Sequence, residues 1–187
     1  MLVLASKSPR RKALLAEAGM DFIVDPAAGE EEPWNGAIPP EEYVRRLAAR
    51  KALEVAPRHP GAMIVGADTI VVLDGRILGK PRDMENAREM LSMLSGREHM
   101  VFTGVALARD AALLRSWTTA TAVRFKTLSG DEIREYLSLV NPLDKAGAYG
   151  IQDHGDLIVE GIRGSYSNVV GLPVEELLEA LAAVQGQ

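Results

Sequence analysis

Apolar positions along the chain recur at two periods, and the switches between them mark the elements. Residues 2–5 form a short apolar run that reads as a strand. Ser8, Pro9 and Gly19 then bracket a helix, as N-cap, first helical residue and terminating glycine. A second short strand is expected over residues 21–25, and a helix from Pro39-Pro40 to about Val55, with Tyr43, Leu47, Ala48 and Leu53 near its buried stripe. Asp83 starts another helix, with Ala87, Met90, Leu91 and Leu94 at helical spacing and Gly96 past its end. Residues 100–108 and 113–125 alternate as two long antiparallel strands joined near Arg109-Asp110. Ser129 and Glu132 form a capping box for a helix carrying Ile133, Tyr136, Leu137 and Val140, stopped by Asn141-Pro142. A strand over residues 157–162 and a last amphipathic helix carrying Val174, Leu177, Leu178, Leu181 and Val184 complete the pattern.

The middle of the chain breaks this regularity. Residues 62–67 read as a buried strand, interrupted by one acid, Asp68, and resumed at residues 70–73. Asp74-Gly75 signals a two-residue hairpin, and Gly79-Lys80-Pro81 follows. A carboxylate in such a run is costly unless paired, metal-bound or facing a wet cleft. Two readings are open: a strand-end Asp in a turn with a solvated Lys80, or a pair that does chemistry. A Walker A loop is excluded, because Gly75-x-x-x-Gly79-Lys80 is one residue short and Pro81 replaces the Ser or Thr that would hold magnesium.

Composition narrows the choices. With 187 residues the chain is large enough for a full core, and a single domain over residues 1–187 is expected. The absence of cysteine excludes disulfides, thiolate zinc and a cysteine nucleophile. His59, His99 and His154 lie far apart, without metal-ligand spacing, and read as surface or loop residues. No run reaches membrane length and residues 1–5 are too short for a signal peptide, so a cytoplasmic protein without a membrane partner is expected. A net charge of −5 argues against nucleic-acid polymers but allows a small anion at a local basic cluster.

Such a cluster opens the first helix. Arg10 and Arg11 stand in its first turn, where the helix dipole disfavours cations by roughly 0.3–1 kcal/mol each. Backbone N–H groups, the Ser6 and Ser8 hydroxyls and two guanidinium forks would together cradle phosphates; a basic surface turn is the plain alternative. Glu30, Glu31 and Glu32 form an acidic loop that is either solvated or a source of oxygen ligands for a hard cation, and Trp34 beside it reads as a hydrophobic anchor. Residues 143–152 are rich in glycine and polar groups without periodicity, a composition typical of functional loops.

Six motifs in order then carry a resemblance: Leu4-Ala5-Ser6-x-Ser8-Pro9-Arg10-Arg11, Gly66-Ala67-Asp68-Thr69, Gly79-Lys80-Pro81, Leu94-Ser95-Gly96, Asp144-Lys145-Ala146-Gly147-Ala148-Tyr149-Gly150-Ile151-Gln152 and Val170-Gly171-Leu172-Pro173. End to end, the chain resembles the Maf family of nucleoside triphosphate pyrophosphatases. The resemblance implies a mixed α/β fold: a curved sheet flanked by helices, two lobes and a central cleft, similar to inosine triphosphate pyrophosphatases. It implies metal-dependent hydrolysis to a nucleoside monophosphate and pyrophosphate, in the manner of the dTTP/UTP subgroup, and a possible homodimer. By that resemblance Asp68 is the proton acceptor. Arg10, Thr69 and Gln152 separate the substrate subgroups, and Ser6, Ser8, Arg11, Lys51, Lys80 and Lys145 join the substrate site. Val140-Asn141-Pro142 departs from the family, which often has an acid before that proline.

Charge makes the implied metal a requirement. One carboxylate about 4 Å from a phosphate oxygen costs roughly 4 kcal/mol at an effective dielectric of 20, so Asp68 and Glu31 or Glu32 would repel the substrate without magnesium or manganese between them. Asp68 as base and Asp68 as metal ligand both stay open. So do two other functions: a pyrophosphatase for a modified or purine triphosphate, and a nucleotide-binding regulator of cell division.

Overall fold

Local signals and structure agree over most of the chain. The computed structural model describes residues 1–29 and 33–185; Glu31 and Glu32 lie outside the described residues. The elements are β1 (Leu2–Leu4), α1 (Pro9–Glu17), β2 (Phe22–Val24), α2 (Pro40–Val55), β3 (Met63–Leu73), β4 (Arg76–Leu78), α3 (Met84–Leu94), β5 (Glu98–Arg109), β6 (Ala112–Phe125), α4 (Gly130–Leu139), α5 (Gly155–Ile158), β7 (Val159–Arg163), α6 (Tyr166–Val170) and α7 (Val174–Gln185). The strands form one mixed sheet in the order β2-β1-β3-β5-β6-β7, with β4 paired to β3. The fold is therefore mixed α/β with flanking helices. By its contacts the chain divides into two units, Met1–Thr69, Thr103–Thr119 and Gly171–Gln187 in the first, Ile70–Phe102 and Ala120–Val170 in the second.

In the first unit β1 pairs in parallel with both β2 and β3, with Leu2 opposite Phe22 on one side and Met63 on the other. The β1-to-β2 and β2-to-β3 crossovers run in opposite directions across the sheet, so their right-handedness places α1 and α2 on opposite faces. Ser8 caps α1 as expected, its hydroxyl accepting from the Arg11 N–H. The core under α2 is built of small residues, among them Ala5, Ala48, Ala52, Ala106 and Ala108. Two glycines set the approach. A Cβ on Gly66 would lie 2.2 Å from the Ala48 carbonyl oxygen, and one on Gly104 would lie 2.4 Å from that of Val44. The helix backbone rests directly on the strands.

The second unit holds the larger side chains. The β3–β4 hairpin turns through Asp74 and Gly75, both at positive φ, and Asp83 caps α3 through the Asn86 N–H at 2.8 Å. Both bonds of the Ser129–Glu132 capping box are present. His99 is 2% exposed, a core residue instead of the surface or loop residue expected. It packs edge-to-face on Phe125 and Tyr149, with centroids 5.0 and 5.5 Å away, and its Nε2 shares a 2.7 Å hydrogen bond with the Tyr149 hydroxyl.

Two expectations shift. β3 does not break at Asp68 but runs unbroken through it. The strand expected from residue 157 starts at Val159, after the single-turn helix α5, because periodicity cannot separate a short apolar helix from a strand. No described helix is long and apolar enough to cross a membrane.

Two measurements check this packing. Gly66→Ala should destabilise the protein by about 1–3 kcal/mol in urea unfolding, since α2 must shift to admit the methyl, while Gly161→Ala, with open space around it, should stay within about 0.5 kcal/mol. Burial pushes the His99 imidazole down to about 4 from 6.5. Below pH 6.5 the unfolded chain therefore binds a proton that the folded chain refuses. The stability present above that pH should fall by about 3 kcal/mol as pH drops through 4. In His99→Phe this part of the pH dependence should vanish from the urea midpoints.

Candidate active site

Catalytic geometry in an open α/β sheet gathers where parallel strands end and their connections diverge. β1 ends opposite Val65, whose carbonyl accepts the Ala5 N–H at 2.9 Å, and β3 continues beyond that point. Asp68 and Thr69 thus lie past the carboxyl end of β1, at the switch point between β1 and β3. Consecutive residues of a strand face opposite ways, so the two side chains serve different surroundings.

Asp68 shares a face with Gly66, the face covered by α2. Lys51, one turn beyond Ala48 on that helix, pairs its ammonium with the Asp68 carboxylate, and both side chains are 14% exposed. The acid inside the strand is therefore held by a lysine that the family resemblance places in the substrate site without naming its partner.

Thr69 faces the opposite way, into a cluster around Arg11. Arg11 is 8% exposed. Its Nε donates to the Gly171 carbonyl at 2.8 Å, Nη1 to the Ser6 hydroxyl at 3.1 Å and Nη2 to the Thr69 hydroxyl at 3.0 Å. Thr69 also exchanges a 2.9 Å bond with the Thr103 hydroxyl. Ser6 further accepts the Ser8 N–H at 3.2 Å, and Ser8 itself caps α1. Arg10, half-buried, stands in the first turn of α1, which holds no acidic residue.

The remaining expected residues belong to the second unit. Gly147, at positive φ, donates its N–H to the Gly79 carbonyl at 3.0 Å, so the loop of residues 144–152 meets the segment carrying the exposed Lys80. Lys145 is buried. Its Nζ donates to the Asn141 carbonyl at 2.6 Å and pairs with Asp144 at 2.9 Å and Asp153 at 3.3 Å. A polar pocket of about 500 Å³ is lined by Val140, Asn141, Lys145, Gln152, Asp153 and His154, with Gln152 exposed. The Tyr136 hydroxyl accepts the Gly150 N–H at 3.2 Å; burial raises its pKa to about 12, and full burial raises that of Tyr149 as well.

The structure thus brings Lys51 to Asp68, Ser6 and Arg11 to Thr69, and Lys145 to the rim of the Gln152 pocket. Glu31 and Glu32, the expected loop ligands, lie outside the described residues. Sequence reasoning passed over Thr103, the Gly171 carbonyl and Asp153. Only Gly171 carried a signal, through its place in the Val170-Gly171-Leu172-Pro173 motif.

Residues 1–184 match the family model described as Maf-like protein. The dTTP/UTP pyrophosphatase of Myxococcus xanthus (strain DK1622) is 50% identical over 184 residues, 97% of this chain and 91% of that relative. The dTTP/UTP pyrophosphatase of Syntrophus aciditrophicus (strain SB) is 47% identical over 181 residues, 96% and 88% of the two chains. The solved structure of the Staphylococcus aureus Ham1 protein shares the fold, with a TM-score of 0.51 at 15% identity over 98% of both chains. With the family model and these relatives spanning nearly its whole length, the chain belongs to the Maf family.

Proposed function

We propose that this protein hydrolyses nucleoside triphosphates, dTTP and UTP before others, between the α- and β-phosphates. Water adds at the α-phosphorus, the anhydride bond breaks, and nucleoside monophosphate and pyrophosphate leave. The observation that carries this reading is a mostly buried carboxylate at the sheet's switch point, Asp68, held by Lys51. Relatives about half identical over nearly their full length bear the name dTTP/UTP pyrophosphatase.

Asp68 takes the proton that the attacking water loses. A carboxylate is a weak base at neutral pH, and a divalent ion supplies what it lacks: when bound, magnesium or manganese acidifies coordinated water and offsets phosphate charge. Among the described residues, no group of three or more His, Asp or Glu could form a cage for such an ion. The donor set nonetheless fits, because magnesium is commonly held by one or two carboxylates together with substrate phosphates and water. Asp68 would be one such ligand, and Glu31 or Glu32 the second.

Arg10 and the first turn of α1 offer cationic and N–H groups to phosphate oxygens. In the second unit, Lys80 is the proposed phosphate cation and Gln152 the reader of the base. The Gln152 amide offers an acceptor and a donor pair that match N3–H and a carbonyl of uracil or thymine, while cytosine presents the opposite pattern. A nucleotide substrate fits the cytoplasmic setting expected for this chain.

Pyrophosphate release across dTTP, UTP, CTP, GTP and ATP tests this, with magnesium or manganese and with chelator. The expected result is preference for dTTP and UTP, nucleoside monophosphate as co-product, and loss of turnover in chelator. Asp68→Asn should lower kcat by roughly 10²- to 10⁴-fold, while a variant that keeps turnover would rule out Asp68 as the base.

A further inference from the structure

Among the described residues Arg11 is the most buried arginine, and its three nitrogens point at three separate pieces of chain. Nε reaches the Gly171 carbonyl before α7, Nη1 the Ser6 hydroxyl after β1, and Nη2 the Thr69 hydroxyl on β3. A guanidinium that grips a phosphate in bidentate fashion offers two N–H bonds from one edge of its plane. Here each edge contains nitrogens already directed at protein oxygens. The Thr69 hydroxyl is similarly committed. It accepts from Arg11, and its one hydrogen and remaining lone pair face the Thr103 hydroxyl at 2.9 Å and the Gly171 carbonyl at 3.4 Å.

We propose that Arg11 is a positioning residue that fixes Ser6 and Thr69 for the substrate, and not itself a ligand of the phosphates. The proposal rests on the nucleotide-hydrolase reading, and it separates the two neighbouring arginines. Arg10 is the arginine that the proposed function offers to the phosphates, whereas Arg11 binds the loop after β1, the β3 residue beside Asp68 and the turn before α7 into one group. Its planar fork is what the three diverging acceptors require. A lysine carries the same charge on one atom and cannot reach all three.

The test is a set of variants, Arg11→Lys, Arg11→Gln, Thr69→Val and Arg11→Gln/Thr69→Val. Each is assayed for kcat and KM per folded enzyme on the triphosphate that wild type turns over best, at low and high salt. The expected result is that Arg11→Lys fails as badly as Arg11→Gln, within about threefold, with the loss mainly in kcat. The salt dependence of KM should match wild type, and the double variant should be no worse than the poorer single one. Near-wild-type KM in Arg11→Lys beside a rise of roughly tenfold in Arg11→Gln, with weakened salt dependence, would make Arg11 a phosphate ligand and overturn the proposal. A merely structural arginine, the other way to overturn it, would lower the melting temperature and leave kcat per folded molecule unchanged.

If the Arg11 variants do not fold, Ser6→Ala and Thr69→Val replace them. These residues meet through Arg11, so their effects on kcat should be non-additive; additive losses overturn the proposal. If wild type hydrolyses no triphosphate, the functional reading fails by itself. Coupling of Arg11→Gln with Thr69→Val is then read in unfolding midpoints, and additive midpoint shifts overturn the shared cluster.

Discussion

The ion pair between Lys51 and Asp68 is the constraint around which the first unit is built. An aspartate within the apolar strand β3 is tenable only with a counter-charge close by. The lysine can supply one only if α2 comes nearly into backbone contact with the sheet. Gly66 and Gly104 lack the side chains that would hold the helix off, and Ala48 and Ala52 present the thin face that comes down on them. The composition of this core, poor in large residues, follows from the distance the pair demands. Deleting one partner of a buried pair costs about 3–5 kcal/mol, and side chains 14% exposed belong at the lower end of that range. The same contact keeps the carboxylate aimed.

Alternation along β3 then divides the chemistry. Because α1 and α2 lie on opposite faces, the dipeptide Asp68-Thr69 presents its acid to α2 and its hydroxyl to the cluster at the start of α1. A strand that ended at the acid, as the broken hydropathy pattern suggests, would lose this arrangement. Thr69 would sit in a turn, with no fixed face to present to Arg11. Continuity of the strand through Asp68 is thus part of the site.

What the sequence discloses and what it hides divide along separation in the chain. The caps at Ser8 and Asp83, the Ser129–Glu132 box and the Asp74-Gly75 hairpin depend on residues within four positions of one another, and all are legible. The pairing of Lys51 with Asp68 spans 17 positions, and the Arg11 bonds to Ser6, Thr69 and Gly171 span 5, 58 and 160. No local periodicity carries such information; the ordered motifs mark Ser6, Arg11, Asp68, Thr69 and Gly171 without their partners, and Lys51, outside every motif, enters only through the family resemblance. The fate of His99 makes the same point. Its neighbours in sequence read as a strand, but the two rings that surround it come from β6 and from the loop ending at Gln152. The short helices α5 and α6 were hidden for a different reason, being too brief for a 3.6-residue period to show.

The cations sort by the same logic. Lys145 is compensated twice, by Asp144 and Asp153, and also donates to the Asn141 carbonyl. A lysine so engaged would have to give up two carboxylates to serve a phosphate, whereas Lys80 of the same unit is solvent-exposed. In these contacts Lys145 acts as a brace. It ties residue 141, two positions past α4, to residue 153, just past Gln152, in the lining of the polar pocket. Gly150 makes this possible, since a Cβ there would lie 2.6 Å from the Asp153 carboxylate and 3.0 Å from the Lys145 chain. With Tyr136 holding the Gly150 N–H and Tyr149 anchored on His99, the backbone before Gln152 is fixed from two sides. The proposed base-reading role of Gln152 calls for such a mounting, because a freely turning glutamine offers its donor and acceptor to either base edge.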